Sequence, residues 1–283
     1  RRGRLASLVM VFVVGVDGCK NGWIAVALNN GRFAGAAMYE SFAALVHEAD
    51  DAFSIGVDIP IGLLAQGQRY CDGMVKELLG PRRNSLFLAP PRPAIEAETY
   101  EVANAVTRNL MGMGLTKQAY NLRDKILEVD AVLKSQSQKQ SKLTPYFSSR
   151  QMMMRKEPKS ALRKYARIIE PDDERRKRLE KARPAGRIIE VHPEASFAEM
   201  AGNPLSHNKK SYNGVMMRLR LLERAGIKIP LEVDEVGGVQ IDDVLDAAAV
   251  AWTAHRYAMQ RARCVPERAH WQYDGQQVVA IWI

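Results

Sequence analysis

Three apolar segments, far apart in the chain, each deliver a carboxylate to the point where the segment starts or stops. VVGVDGCKNGW carries Asp17, IGVDIPIG carries Asp58, and IDDVLDAAAVA carries Asp243 and Asp246. Elements this apolar must be buried, and the acids at their ends are drawn to the edge of the core with them. Carboxylates converging from buried elements repel one another and resist desolvation, so they are tolerated chiefly where a cation stands between them. A pair of divalent metal ions is the leading candidate, which asks the fold to bring two strand ends and a helix to one acidic rim.

The segments between the acids are consistent with that demand. Residues 12–16, 23–28 and 32–38 read as strands, the last two joined by Asn29, Asn30 and Gly31. Asn-Gly supplies the positive φ values of a tight hairpin, so an antiparallel meander opens the fold. Ser41 is placed to N-cap a short helix reaching Ala49, and residues 54–58 make a fourth strand that Pro60 stops. From Tyr70 the pattern turns helical, with Met74, Val75, Leu78 and Leu79 on one face before Gly80 and Pro81. Further helices are expected over about 94–110 and after Thr116, where Leu115 and Tyr120 suit a hydrophobic staple and Leu122, Ile126, Val129 and Leu133 form an apolar stripe. Strand character returns at 187–191, and helices are expected at 212–225 and 243–259. Ala247, Ala248, Ala249 and Ala251 would let the last helix lie close on a sheet, and 277–283 reads as an edge strand. There is no internal repeat.

With 283 residues, 47% of them apolar, the chain can bury the core of one large domain. Residues 1–10 read as an N-terminal extension, 11–283 as a single domain, and 61–186 as a helical insertion within it. The basic-then-apolar opening resembles a short signal peptide, but it lacks a small-residue cleavage site and Asp17 interrupts it. A buried first strand is the better reading. No other stretch is long enough to span a bilayer, so no membrane is expected. Cys19, Cys71 and Cys264 fit neither a disulfide framework nor a zinc-ligand spacing, which points to a reducing, cytoplasmic setting. Residues 134–186 hold sixteen Lys or Arg against six Asp or Glu, a net +10 that leaves −1 for the rest of a chain totalling +9. Such a block attracts phosphate backbones or anionic surfaces, or it merely solvates an inserted helical segment; both readings stand.

A meander followed by a parallel strand can present Asp17 and Asp58 at one rim, although strand-end aspartates also simply begin turns. Asp243 and Asp246 share a helical face, and Asp243 as N-cap with Asp246 three residues on is nearly a capping box, so capping and coordination remain open. Alternation puts Glu190, His192 and Glu194 on one side of a strand beside the Asp58 rim while extended geometry lasts. A mononuclear zinc site is disfavoured, because His47, His207, His255 and His270 lack ligand spacing. Arg82, Arg83, Ser85 and Arg92 in a Pro-rich loop, with Lys209 and Lys210 before a helix, are candidate phosphate ligands. DGCKNG lacks the lysine-serine ending of a Walker loop, and no Ser-His-Asp arrangement can be defended from spacing.

Six ordered motifs carry a resemblance: GVDGCKNGWIAV, GVDIPIGL, CDGMVKELLGPRRNSLF with APPR, GLTKQAYNLRDKILEVD, EVHPEASFAEMAG and DDVLDAAAVAWTAHR. Together they resemble the domain-of-unknown-function 429 family, described as predicted ribonuclease H-like nucleases. The resemblance implies an α/β fold with a five-stranded mixed sheet flanked by helices, like that of ribonuclease H, retroviral integrases and Holliday-junction resolvases. It also implies that Asp17, Asp58, and Asp243 or Asp246 bind metal, with Glu190 and Glu194 matching the family's own EVHPE segment. The basic segment 134–186 is longer than the connection such a fold leads one to expect. The leading expectation is phosphodiester hydrolysis on nucleic acid, with Asp17 bridging two Mg²⁺ or Mn²⁺ ions. The rivals are a noncatalytic nucleic-acid-binding or scaffold protein on the same fold, and a phosphotransferase of the related actin-like ATPase superfold.

Overall fold

Eight-residue runs of small and β-branched residues, broken by tight turns, build the first half of the sheet. The computed structural model describes residues 11–142, 186–233, 236, 238–275 and 277–283. Strands β1 (Phe12–Cys19), β2 (Gly22–Asn29) and β3 (Arg32–Tyr39) form the meander, and Asn30 (φ 51°) with Gly31 (φ 75°) makes the second turn. Helix α1 (Phe42–Glu48), capped by the Ser41 side chain, leads to β4 (Ser54–Val57). β5 (Ile188–Glu190) completes a five-stranded mixed sheet of order β3-β2-β1-β4-β5, in which β1, β4 and β5 are parallel.

Between β4 and β5 lie α2 (Tyr70–Leu79), a 3₁₀ turn (Gly80–Ser85), α3 (Arg92–Ile95), α4 (Tyr100–Met111), α5 (Lys117–Asn121) and α6 (Arg123–Lys142). The single helix expected over 94–110 is thus two. Thr99 adopts an extended backbone (φ −121°) and caps α4 by accepting the Val102 N–H, which ends continuity with α3. After β5 come α7 (Pro193–Ala201), α8 (Tyr212–Arg224) and α9 (Ile241–Ala258). The expected edge strand at 277–283 is also split. β8 (Gln277–Val279) pairs with β7 (Gln272–Asp274) and β9 (Ile281–Trp282) with β6 (Cys264–Val265), leaving only a Val191–Trp282 bridge beside the main sheet. The extension 1–10 and residues 143–185 of the basic segment lie outside the described residues.

The sheet is covered on both faces. Val14, Val16, Trp23, Ile55 and Val57 pack with Phe42 of α1 and with Ile126 and Val129 of α6, the stripe foreseen in the sequence. On the other face, Val13, Ile24 and Val26 pack with Phe197 of α7, Leu222 of α8 and Leu245 and Ala248 of α9. Helix α9 approaches the sheet backbone to backbone. A Cβ at Gly15 would lie 2.1 Å from the Ala251 nitrogen and 2.2 Å from the Ala247 oxygen, and one at Gly56 would lie 2.8 Å from Val250 Cγ1. Close packing of α9 therefore needs Gly15 opposite Ala247 and Ala251, and Gly56 opposite Val250. Among the described residues no helix is long and apolar enough to cross a membrane, and the three cysteines form no disulfide.

Candidate functional site

Gly-Val-Asp occurs in β1 and again at the end of β4, and that repetition builds the site. Val16 pairs with Val57, and the Asp58 N–H donates to the Val16 carbonyl at 3.0 Å, so Asp58, just past the end of β4, stands beside Asp17. Asp17 lies not at the end of β1 but within it, opposite Ile24 of β2, because the hairpin carries the strand on to Cys19. Alternation puts each aspartate on the face of the glycine two residues earlier, which is the face under α9. Gly15 touches α9 at Ala247 and Ala251, and about one turn nearer the helix N-terminus stand Asp243 and Asp246. Two residues along a strand cover ~6.6 Å and one helical turn covers ~5.4 Å, so the same close packing that admits α9 sets its acids opposite the strand acids.

Asp17 is 7% exposed and Asp246 2%. Burial holds the Asp17 carboxyl well above the usual carboxylate range, and repulsion from Asp58 and Asp246 adds to it. Burial also pushes Asp58 up to about 8, helped by Asp246 and Glu190, and pushes Asp246 up to about 6 against the relief that Lys209 supplies. The Lys209 ammonium stands 2.5 Å from Asp246 Oδ2 and 3.7 Å from Asp242 Oδ2. Partial burial pulls its pKa down, but Asp246, Asp17 and Asp58 outweigh that and hold it above its ordinary value. The loop that presents Lys209 is pinned to α8. Ser211 caps the helix by accepting the Gly214 N–H at 3.1 Å, and a Cβ at Gly214 would fall 1.8 Å from the Asn208 oxygen.

Asp243 is not the N-cap of α9. The helix starts at Ile241 behind Gln240, whose side chain makes no capping bond, so Asp243 falls third in the helix and half-buried. Asp246 lies well inside it, and neither acid is a cap. Asp242, which the sequence reading passed over, is 5% exposed and faces Lys209 and Lys210.

Glu190, His192 and Glu194 do not share one side. Extended geometry ends at His192, whose Nδ1 accepts the Ala195 N–H to cap α7, and Glu194 sits in that helix's first turn. Glu190 meets Arg69 Nη2 at 2.6 Å and also accepts the Ile61 N–H at 2.6 Å. Glu194 meets Arg218 Nη2 at 2.5 Å, with Arg82 at 3.7 Å. Both arginines are almost wholly buried, so these two glutamates reach the cleft wall already engaged as structural ion pairs. Arg218 was detectable in the sequence, because it falls on the buried stripe of α8 with Gly214, Leu221 and Leu222, where a guanidinium demands a carboxylate. Burial lowers His192 to about 4 and keeps the ring neutral.

The acids open into a cleft of about 450 Å³ lined by Arg82, Ser85, Lys209 and Lys210 as well as Asp58 and Asp246. A smaller space of about 140 Å³, sharing Asp58, Ser85, His192 and Lys209, reaches Asp17 and Glu190. Arg92 does not join them, because Asp130 of α6 and Asp274 of β7 hold it at 2.9 and 2.5 Å. Arg83 is exposed and lines neither space; its carbonyl accepts from Lys76. DGCKNG forms a hairpin turn between β1 and β2, with no helix N-terminus behind it.

Among the described residues, no three His, Cys, Asp or Glu side chains already stand in a metal-binding arrangement. The donor set nevertheless fits a hard divalent cation in kind and in charge. Asp17, Asp58 and Asp246 offer only oxygen, and the mutual repulsion that raises their pKa values beside Lys209 is what a bound divalent cation would relieve. A family model described as "Protein of unknown function (DUF429)" matches residues 15–147 and 144–270. No curated protein and no solved structure gives a match.

Proposed function

The chain belongs to the DUF429 family, and we propose that it is a metal-dependent nuclease of ribonuclease H-like architecture that hydrolyses phosphodiester bonds of nucleic acid. The observation that carries this reading is the meeting of Asp17 of β1, Asp58 at the end of β4 and Asp246 of α9, where Lys209 is the one ammonium paired with them among the described residues. These three would hold Mg²⁺ or Mn²⁺, one ion or two, with Asp243 at the margin. The bound metal would activate water and stabilise the leaving oxygen. Lys209, Lys210 and Arg82 on the cleft wall supply positive charge for phosphate oxygens. Arg82 Nη2 has no hydrogen-bond partner among the described residues, while its Nε holds the Leu205 carbonyl at 3.1 Å. Neutral His192 reaches the Ser85 carbonyl at 3.4 Å and steadies the opposite wall. Glu190 and Glu194 act through Arg69 and Arg218, keeping the cleft's frame in place. Selectivity among substrates would come from backbone shape and charge. A cytoplasmic setting, where unpaired cysteines stay reduced, belongs to the same reading.

A noncatalytic nucleic-acid-binding protein on this fold is the second reading, and the Lys209–Asp246 pair favours it, since a lysine there can neutralise the site permanently. An assay of the purified chain on single-stranded, duplex, hybrid and branched substrates in Mg²⁺ or Mn²⁺ separates the two. Cleavage of at least one substrate, abolished by Asp17→Asn, is expected. Cleavage that survives Asp17→Asn, or none on any substrate, overturns the nuclease reading.

A further inference from the structure

On the far side of the Lys209 loop lies a second and larger groove, of about 750 Å³. Residues 203–207 form one of its walls while residues 208–210 line the acidic cleft, so a single loop divides the two spaces. Its floor is α8, where Tyr212, Met216, Arg220 and Arg224 follow at four-residue intervals and all line the groove. Four-residue spacing makes a continuous ridge along a helix, here about 18 Å long. Trp252 of α9 also lines it, its ring already covered by the Arg256 guanidinium at 4.5 Å, so Tyr212 is the ring left open to a ligand.

The chemistry of this lining selects its occupant. Tyr212 is 78% exposed, a large ring offered to solvent. Arg220 and Arg224 are exposed and have neither an ion pair nor a hydrogen bond among the described residues, and no Asp or Glu lines the groove. An open ring and methionines beside uncompensated guanidinium groups suit a ligand with π-faces and a regularly spaced anionic backbone. With Lys209 and Lys210 across the loop, the arginines continue a basic track out of the acidic cleft.

We propose that this groove seats the single-stranded segment of nucleic acid flanking the bond held at the acids, with a base against Tyr212 and phosphates on Arg220 and Arg224. The assignment rests on the nucleic-acid reading of the cleft but not on cleavage. Its test therefore uses equilibrium binding of a labelled single-stranded oligonucleotide to the full chain in EDTA, followed by anisotropy. Tyr212→Ala should weaken binding about fivefold or more with the salt slope unchanged, as loss of a stacking contact does. Arg220→Ala with Arg224→Ala should weaken binding and lower the slope of log K against log salt by about 1.4, at roughly 0.7 per phosphate contact. All three side chains are exposed, so these substitutions spare the fold. Photo-cross-linking with an iodouracil oligonucleotide should label Tyr212. These outcomes support the groove even if no substrate is ever cleaved. Unchanged affinity and slope, cross-links confined to other segments, no binding of the oligonucleotide, or its displacement by an acidic peptide that the same variants fail to bind would each overturn the assignment.

Discussion

Replacing Lys209 with alanine removes the cation that Asp246 holds at 2.5 Å. Side-chain exposures of 3% for Asp246 and 7% for Asp242 leave those carboxylates little water to fall back on. Stripping one partner from a fully buried pair costs about 3–5 kcal/mol. The Lys209 side chain is 37% exposed, so solvent screens part of the interaction, and a loss of about 1–2 kcal/mol is expected. At roughly 2–4 °C per kcal/mol for a chain of this size, the melting temperature in EDTA near pH 8 should fall by about 2–8 °C. The variant should at the same time bind Mn²⁺ more tightly, since the ion no longer competes with an ammonium for Asp246. About tenfold, equivalent to ~1.4 kcal/mol, is the size expected of one screened charge at this range. Thermal melts in EDTA and calorimetric titration with Mn²⁺ measure both effects. A Lys209→Ala chain that melts like the wild type and binds Mn²⁺ no more tightly would refute the idea that Lys209 is the counter-charge of this site.

The raised carboxyl values carry a sign for pH. The folded chain retains protons on Asp17, Asp58 (about 8) and Asp246 (about 6) that the unfolded chain releases near pH 4. The stability these groups contribute is full below about pH 4 and lost as pH rises through about 6 to 8. Melting in EDTA should therefore fall from pH 5 to 8.5, and saturating Mn²⁺ should flatten the fall; a metal-free melt that rises over this range contradicts the burial described. Gly15→Ala forces a methyl to 2.1 Å from the Ala251 nitrogen, and a cost of about 3 kcal/mol or more is expected in chemical denaturation; wild-type stability would mean that α9 does not lie on β1 as closely as described. Arg69→Ala leaves Glu190 and Asp72 without their buried cation, so about 3–5 kcal/mol should be lost, and unchanged stability would reopen a direct chemical role for Glu190.

The parts of the fold written in local patterns were legible. Alternation and Asn30-Gly31 marked the meander, and the meander put β4 beside β1, which is why Asp17 and Asp58 could be expected at one rim. The alanines of α9 announced close packing, but Gly15, which faces Ala247 and Ala251, and Gly56, which faces Val250, are ordinary glycines until the two Gly-Val-Asp segments are compared. The start of α9 was misplaced because Gln240 begins it with no capping side chain, and a shift of two residues moved Asp243 out of the cap. Partners distant in the chain were the least visible. Glu190 is claimed by Arg69, 121 residues away, and Arg92 by Asp130 and Asp274. No local pattern records such pairings.

The most direct measurement is an anomalous-scattering map from crystals soaked in Mn²⁺. A peak bounded by the carboxylates of Asp17, Asp58 and Asp246 is expected, with the Lys209 ammonium withdrawn from Asp246. A map with no peak among these three acids and Lys209 still paired to Asp246 would contradict it.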